Sequence, residues 1–391
     1  MKDSFKNCAE KYSRLLIYFT VIALFAGCTK GSSGDTPTTP TTPTTPTTPT
    51  VAVDTTVTSM QAKVQGHDVG VYCTYYGTGL PMAEYVTYVN YAFAELYVSN
   101  NVYQGFKLQG TESRFQNVVD LKKQNSSIKI FISFTNGIAN SDNKIDGGFS
   151  ATSATDANRK AFAHDCLTFI KKWGIDGIDI DWEFPGLGWS SAKYDLANDT
   201  NNYTLMMKTL RDTLGTKYML TFAGYVTDKR AVTGGYRYID IGGVMPYVDF
   251  VNMMTYDLDA APNYHNALQS ASSYWDCVRT VAAYKAAGAP VAKLHLGIPF
   301  YGRKAWSGTN AAVSYKSLSK SSAVWSSTAS VPYIPDATTK AVTYSYDNAK
   351  SIFRKGKWML SLGLPGMFCW EISQDDASYT LQKAMWNATM K

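Results

Sequence analysis

Histidine is scarce in this chain. Four occur in 391 residues, at positions 67, 164, 265 and 295, and no two stand at metal-ligand spacing, so no metal site is expected. Charge imbalance is also small: 37 Lys and Arg face 31 Asp and Glu, a net charge of +6. Part of that excess lies in residues 1–27, where Lys2, Lys6, Lys11 and Arg14 outweigh Asp3 and Glu10. What remains is too little to suggest a nucleic-acid partner. Beyond residue 28 the cysteines are Cys73, Cys166, Cys277 and Cys369; their spacing suggests buried thiols and no disulfide framework. The apolar run that stands out, Leu15 to Ala26, is shorter than the about 20 residues of a membrane-spanning helix. Aromatics, in contrast, are plentiful. The 27 Tyr, 17 Phe and 9 Trp suit a large core or a surface on which sugars stack.

The apolar run follows a basic head, as in a secretory signal. It ends at Phe25-Ala-Gly-Cys28, which resembles a bacterial lipoprotein signal, with Phe25 where that pattern usually has Leu. Residues 1–27 are therefore expected to be removed and Cys28 to carry lipid. The expected location is a bacterial membrane, outer membrane or cell surface, touched only through that anchor. Pro37, Pro40, Pro43, Pro46 and Pro49 then recur every three residues among threonines. That period is one turn of polyproline II, so 28–63 is read as a linker, with 36–50 reaching roughly 46 Å.

From about Val64 to residue 391 the pattern is of strands alternating with helices, which argues for a parallel sheet. Strands are expected at 68–72, 88–94, 128–133, just after Asp176, and at 218–223, 248–256, 293–300 and 366–370. Helices are expected near 113–124, 202–214, 269–287 and 347–361. The fullest helical signal is Asp156 to Trp173, where Phe162, Cys166, Phe169, Ile170 and Trp173 share one face and Gly174 provides the stop. Eight strands with intervening helices make an α/β fold, a TIM (β/α)8 barrel. Residues 304–345, rich in Ser, Thr, Tyr and Val, show no helical period and are read as a short insertion after the seventh strand.

The stretch Asp176-Gly-Ile-Asp-Ile-Asp-Trp-Glu-Phe-Pro-Gly186 is the chemical centre. Along a strand, Asp179, Asp181 and Glu183 point one way and Ile178, Ile180 and Trp182 the other. Neighbouring acids are then roughly 6.5–7 Å apart. Enclosed together, such carboxyls repel one another and lose solvation, so at least one keeps a proton near neutrality. A protonated carboxyl beside an ionised one is what general-acid catalysis requires. Pro185 and Gly186 stop the strand and leave Glu183 at its C-terminal end, where barrel active sites lie.

At these residues the chain resembles glycoside hydrolase family 18, the chitinase family, whose Asp-x-x-Asp-x-Asp-x-Glu signature is met by Asp176, Asp179, Asp181 and Glu183. The resemblance extends over most of 68–376. Tyr72 matches a first-strand Tyr and Phe93 a second-strand aromatic. Met254, Tyr256 and Asp257 fit a Met-x-Tyr-Asp motif, Tyr301 and Arg303 a Tyr-Gly-Arg, and Trp370 an eighth-strand Trp. The third strand departs from the family's Ser-x-Gly-Gly, reading Ser133-Phe-Thr135-Asn136-Gly137, which puts contacts to more distant sugars in doubt.

The resemblance implies retaining hydrolysis without an enzyme nucleophile, an exception to the usual two-carboxylate scheme. Glu183 would be the acid, with Asp181 facing the positive intermediate. Asp179 would share a proton with Asp181, and Tyr256 would hold the substrate's N-acetyl oxygen for attack. Tyr72, Phe93, Met254, Asp257, Tyr301, Arg303 and Trp370 would contact substrate, and Asp176, out of phase with the inward set, would support the strand. No cofactor is called for. The expected activity is endo-acting cleavage of β-1,4-linked N-acetylglucosamine in chitin or its oligosaccharides, by a monomer. The alternative is an endo-β-N-acetylglucosaminidase acting on N-glycan cores; a non-enzymatic sugar-binding protein is the third reading. Trp189, Trp306 and Trp325 are further candidates for a sugar groove.

Overall fold

The computed structural model describes residues 59–135, 148–187, 193–226 and 239–391. The signal, most of the linker, Cys28, Asn136, Gly137 and Trp189 lie outside these residues. The strands are β1 (Asp68–Thr74), β2 (Tyr88–Ser99), β3 (Val102–Leu108), β4 (Lys129–Thr135), β5 (Gly177–Asp181), β6 (Met219–Gly224), β7 (Phe250–Met253) and β8 (Leu294–Pro299). A smaller set follows: β9 (Tyr301–Arg303), β10 (Ala312–Ser314), β11 (Val324–Ser326), β12 (Val331–Pro335) and β13 (Val342–Ser345). Last comes β14 (Gly366–Trp370).

Strands β1, β2, β4, β5, β6, β7, β8 and β14 are hydrogen-bonded in parallel, and the β1–β14 and β1–β2 pairings close them into an eight-stranded barrel. Strand β3 hangs on β2 as an antiparallel hairpin. Strands β9 to β13 form a separate antiparallel sheet of five, so the insertion read at 304–345 is a small β-lobe beginning at Tyr301.

The helices are α1 (Glu112–Val119), α2 (Leu121–Gln124), α3 (Phe149–Ala154), α4 (Asp156–Trp173), α5 (Asp199–Leu214), α6 (Ile241–Val244), α7 (Cys277–Ala286), α8 (Ala349–Ser361) and α9 (Thr380–Thr389). Helix α4 has the expected bounds. The Thr155 hydroxyl accepts from the Asn158 amide at its start, and Gly174 ends it in the left-handed region at φ 63°. The expected helix 113–124 breaks at Asp120 into α1 and α2. The one expected at 269–287 begins only at Cys277, because Asp276 caps it by accepting from the Arg279 and Ser270 amides.

Strand alternation sorts the side chains into two layers. Outward residues such as Val69, Val71, Ile130, Ile132, Ile178 and Ile180 pack under the helices. Tyr72, Tyr88, Phe131, Phe250 and Phe368 fill the barrel. The Tyr88 ring crosses the interior so closely that a Cβ on Gly70 would lie 2.0 Å from its Cζ. Only glycine fits there. The four cysteines of the body are buried free thiols.

Candidate active site

The acidic row climbs β5 toward the C-terminal mouth of the barrel. Asp179 is fully buried, Asp181 is 5% exposed, and Glu183 is half-buried. The strand itself ends at Asp181, two residues earlier than the sequence pattern indicates, so Glu183 stands on the turn beyond it. Trp182 points away, stacked on Phe149 at 5.3 Å between ring centroids. The peptides Ala92–Phe93, Glu183–Phe184 and Trp370–Glu371 are cis.

Each acid has distinct surroundings. Asp179 accepts three hydrogen bonds: Tyr72 at 2.8 Å and Ser133 at 2.7 Å on Oδ2, and Thr221 at 2.7 Å on Oδ1. Burial raises its carboxyl pKa, and these three donors oppose the rise. Asp181 shares a hydrogen bond with Glu183, while its Oδ1 is buried without a partner. Burial, then the charges of Glu183 and Asp179, push it well above the ordinary carboxyl range. Glu183 is pushed up to about 7, by burial first and then by the charge of Asp257, with the Asp181 hydrogen bond acting against them.

Asp257 is the fixed anion of the site. Strand β7 stops at Met253, earlier than the expected 256, and the chain turns through Asp257 at φ 54°. Its carboxylate receives the Tyr301 hydroxyl at 2.8 Å and both arms of the Arg303 guanidinium, with His265 Nδ1 3.4 Å away. Burial alone would raise its pKa, but His265 and Arg303 outweigh burial and bring it down to about 2.

Aromatic rings enclose the acids. Trp370 stacks on Phe93 at 5.6 Å and lies 5.4 Å from Tyr72. Tyr256, 6% exposed, packs edge-on against Tyr301 and Phe368. Tyr72, Phe93, Met254, Tyr256, Tyr301 and Trp370 thus belong to one cluster. Asp176 lies apart, at the start of β5, accepting from Lys122 at 2.6 Å and the Ile130 amide at 2.9 Å. Trp306 lies 51% exposed beneath Arg303, whereas the Trp325 ring is covered by Lys350 and Arg354.

The polar lining inside the barrel is what sequence reasoning missed. Thr221, Asn252, Tyr88 and His295 are all buried there and hydrogen-bonded to one another or to site residues. Polar residues at inward positions of apolar strands were the available signal.

A closed parallel barrel with a graded row of acids at its mouth, one protonated near neutrality among aromatic walls, defines a glycoside hydrolase. The profile of glycosyl hydrolases family 18 matches residues 68–375, and the chain belongs to that family. It is 31% identical to Chitinase A1 of Niallia circulans over 286 residues, 61% of this chain and 40% of that protein. The chain thus spans about two fifths of that relative's length. Among solved structures it resembles a cell-surface chitinase of Paenibacillus (TM-score 0.68, 25% identity, 82% of this chain and 42% of the other). It also shares the fold of a family 18 N-acetylglucosaminidase of Paenibacillus barengoltzii (TM-score 0.67, 23% identity, 82% and 99%).

Proposed function

We propose that the chain hydrolyses β-1,4-linked N-acetylglucosamine polymers, cutting chitin or its oligosaccharides internally with retention of configuration. The observation that carries this reading is the half-buried Glu183 at the mouth of the barrel, next in line to the more deeply buried Asp181 and Asp179 and with its carboxyl pKa pushed up by burial and by the charge of Asp257. Glu183 donates its proton to the glycosidic oxygen as the bond to the anomeric carbon breaks. The substrate's own acetamide oxygen attacks that carbon from the opposite face, forming a cyclic cation. Water then opens the ring, giving its proton to the Glu183 carboxylate and restoring the acid.

The aspartates serve the cation. Asp181 Oδ1 is buried with no donor, so a proton passed to Asp181 would supply the missing partner and leave Asp179, with its three donors, to carry the charge. The position of that proton decides which aspartate is charged when the intermediate forms. Tyr256 holds the acetamide, and Trp370, braced on Phe93, carries the sugar ring. Similarity to proteins named chitinases supports the substrate class. We further infer export on a lipid at Cys28, with the folded body a monomer in solution.

Cleavage of N-glycan cores is the second reading. Thr135, at the end of β4 where relatives carry a glycine, pairs in register with Asp181 and adds bulk beside the site. The test is a product assay on chitin oligosaccharides and an intact N-glycoprotein in parallel. Short oligomers from the first alone support chitin cleavage; glycan release leaving one N-acetylglucosamine on Asn supports the second reading. Inactivity on both refutes the assignment of Glu183.

A further inference from the structure

A file of buried polar groups runs down the barrel from Asp179 toward the floor. Tyr72 OH is 2.8 Å from Asp179 Oδ2, and Asn252 Nδ2 is 3.2 Å from Tyr72 OH. Tyr88 OH is 2.7 Å from Asn252 Oδ1 and 3.0 Å from His295 Nδ1. All four side chains beneath Asp179 are at most 2% exposed. Behind His295, Nε2 lies 3.9 Å from Asp68 Oδ2, which is open to solvent at the first residue of β1.

We propose that His295, Tyr88 and Asn252 are positioning residues: a proton on His295 Nδ1 sets the direction of the whole file, so that the Tyr72 hydroxyl donates to Asp179. The argument is one of donors and acceptors. Tyr88 has one proton and two polar neighbours. With Nδ1–H donating to the Tyr88 oxygen, the Tyr88 proton goes to Asn252 Oδ1. The amide then presents its NH2 to the Tyr72 oxygen, and the Tyr72 proton is left for Asp179. With Nδ1 bare, Tyr88 donates to the imidazole instead. Asn252 Oδ1 loses its donor, and an amide flip sets Oδ1 against Tyr72 in competition with Asp179 for the hydroxyl proton. In a buried file such as this, each bond constrains the next.

This rests on the reading of Asp179 as the partner that takes up charge when the shared proton moves to Asp181. The groups facing Asp179 are Tyr72 on β1, Tyr88 on β2, Asp181 on its own strand, Tyr203 from α5, and the donors Ser133 and Thr221. Those facing His295 are Asp68, Tyr88 and the Phe250 ring, stacked 4.1 Å away. Burial lowers the His295 pKa to about 4, so the ring is neutral at working pH. Asp68, 3.9 Å from Nε2, lies beyond hydrogen-bond distance, and the Tyr88 hydroxyl directed at Asn252 Oδ1 leaves its oxygen to accept from Nδ1–H. Loss of the Tyr72 donor disfavours ionised Asp179, and the acid limb of kcat then moves to higher pH.

The first test needs no substrate, and so is independent of what the chain cleaves. Nitrogen-15 labelling of histidine reads each tautomer by NMR, with His295→Asn assigning the signal. Nδ1 protonated and Nε2 bare is expected; the reverse overturns the proposal. The second test uses Tyr88→Phe, which keeps the ring packed on Phe131 and Phe250 but removes the link. It should lower kcat about three- to tenfold with KM unchanged, part of the worth of one hydrogen bond to a charged group, and shift the acid limb upward. His295→Asn places an amide donor near the Nδ1 position and should recover most of kcat and the original limb. A Tyr88→Phe profile superposable on wild type, or a His295→Asn protein as impaired as Tyr88→Phe, refutes the inference.

Discussion

The charge of Asp257 should set the alkaline limb of activity, and two substitutions should move that limb in opposite directions. Glu183 must be protonated to act, and its pKa is raised from an ordinary 4.5 to about 7. The logarithm of kcat/KM, which reports the free enzyme, should therefore fall as pH rises through about 7. Burial is the largest cause of the rise and the Asp257 charge the next. Asp257→Asn keeps an oxygen for Tyr301 and Arg303 but removes the charge, so the Glu183 anion becomes easier to form. The limb should move down by about half to one pH unit. Arg303→Met takes away the cation that balances Asp257. The Glu183 anion then faces an uncompensated carboxylate, and the limb should move up. The assay is kcat/KM against pH on a soluble chitin oligosaccharide for all three proteins, with thermal melting as a check on folding. Movement of both variants in the same direction, or an unmoved limb in Asp257→Asn, would show that Asp257 does not hold the acid.

The other expectations concern the row of acids and the scaffold. Asp181→Asn should lower kcat by about two to three orders of magnitude, roughly 3–4 kcal/mol of transition-state stabilisation, with a small change in KM; a near-silent effect refutes its role. Gly70→Ala forces a methyl against the Tyr88 ring and should cost about 1–3 kcal/mol in denaturant unfolding; unchanged stability would mean the ring can move aside. Lys355 and Asp347 form a fully buried ion pair at 2.6 Å. Removing either partner should cost about 3–5 kcal/mol, and an apolar replacement of both should cost less than either alone; additive losses would contradict this. Asp176→Asn should lower the melting temperature while leaving kcat intact, since its partners are Lys122, Lys129 and Ile130, away from the mouth; a fall in kcat at unchanged stability would place it in the site.

The barrel was legible because its strands and its fullest helix follow simple periods. Helix α4 matches from end to end, since both its cap residue and its glycine stop are local signals. The row of acids was legible for the same reason, three carboxylates at strand parity. Less local features were hidden. The lobe strands are three to five residues long, too short for a period to emerge. The late start of α7 arises where the Asp276 side chain captures backbone groups that helix propensity assigns elsewhere; at the break at Asp120 the side chain bonds only to the Gln116 and Lys123 side chains.

The polar lining was hidden for a different reason. A Thr, an Asn or a Tyr within an apolar strand reads individually as an ordinary core residue, and only closure of the sheet brings it to face its partners. Thr221 comes to Asp179 from the next strand, Ser133 from the previous one and Tyr72 from across the barrel. Tyr72 reads in sequence as a substrate contact and Ser133 and Thr221 carry no signal of this role, yet together they supply three donors to one buried carboxylate. Hydrogen bonds to a charged group are worth about 1.5–3 kcal/mol each, enough to decide whether Asp179 carries charge at all. The acids are therefore written along β5 and the turn that follows it, but their protonation is written on the strands around them.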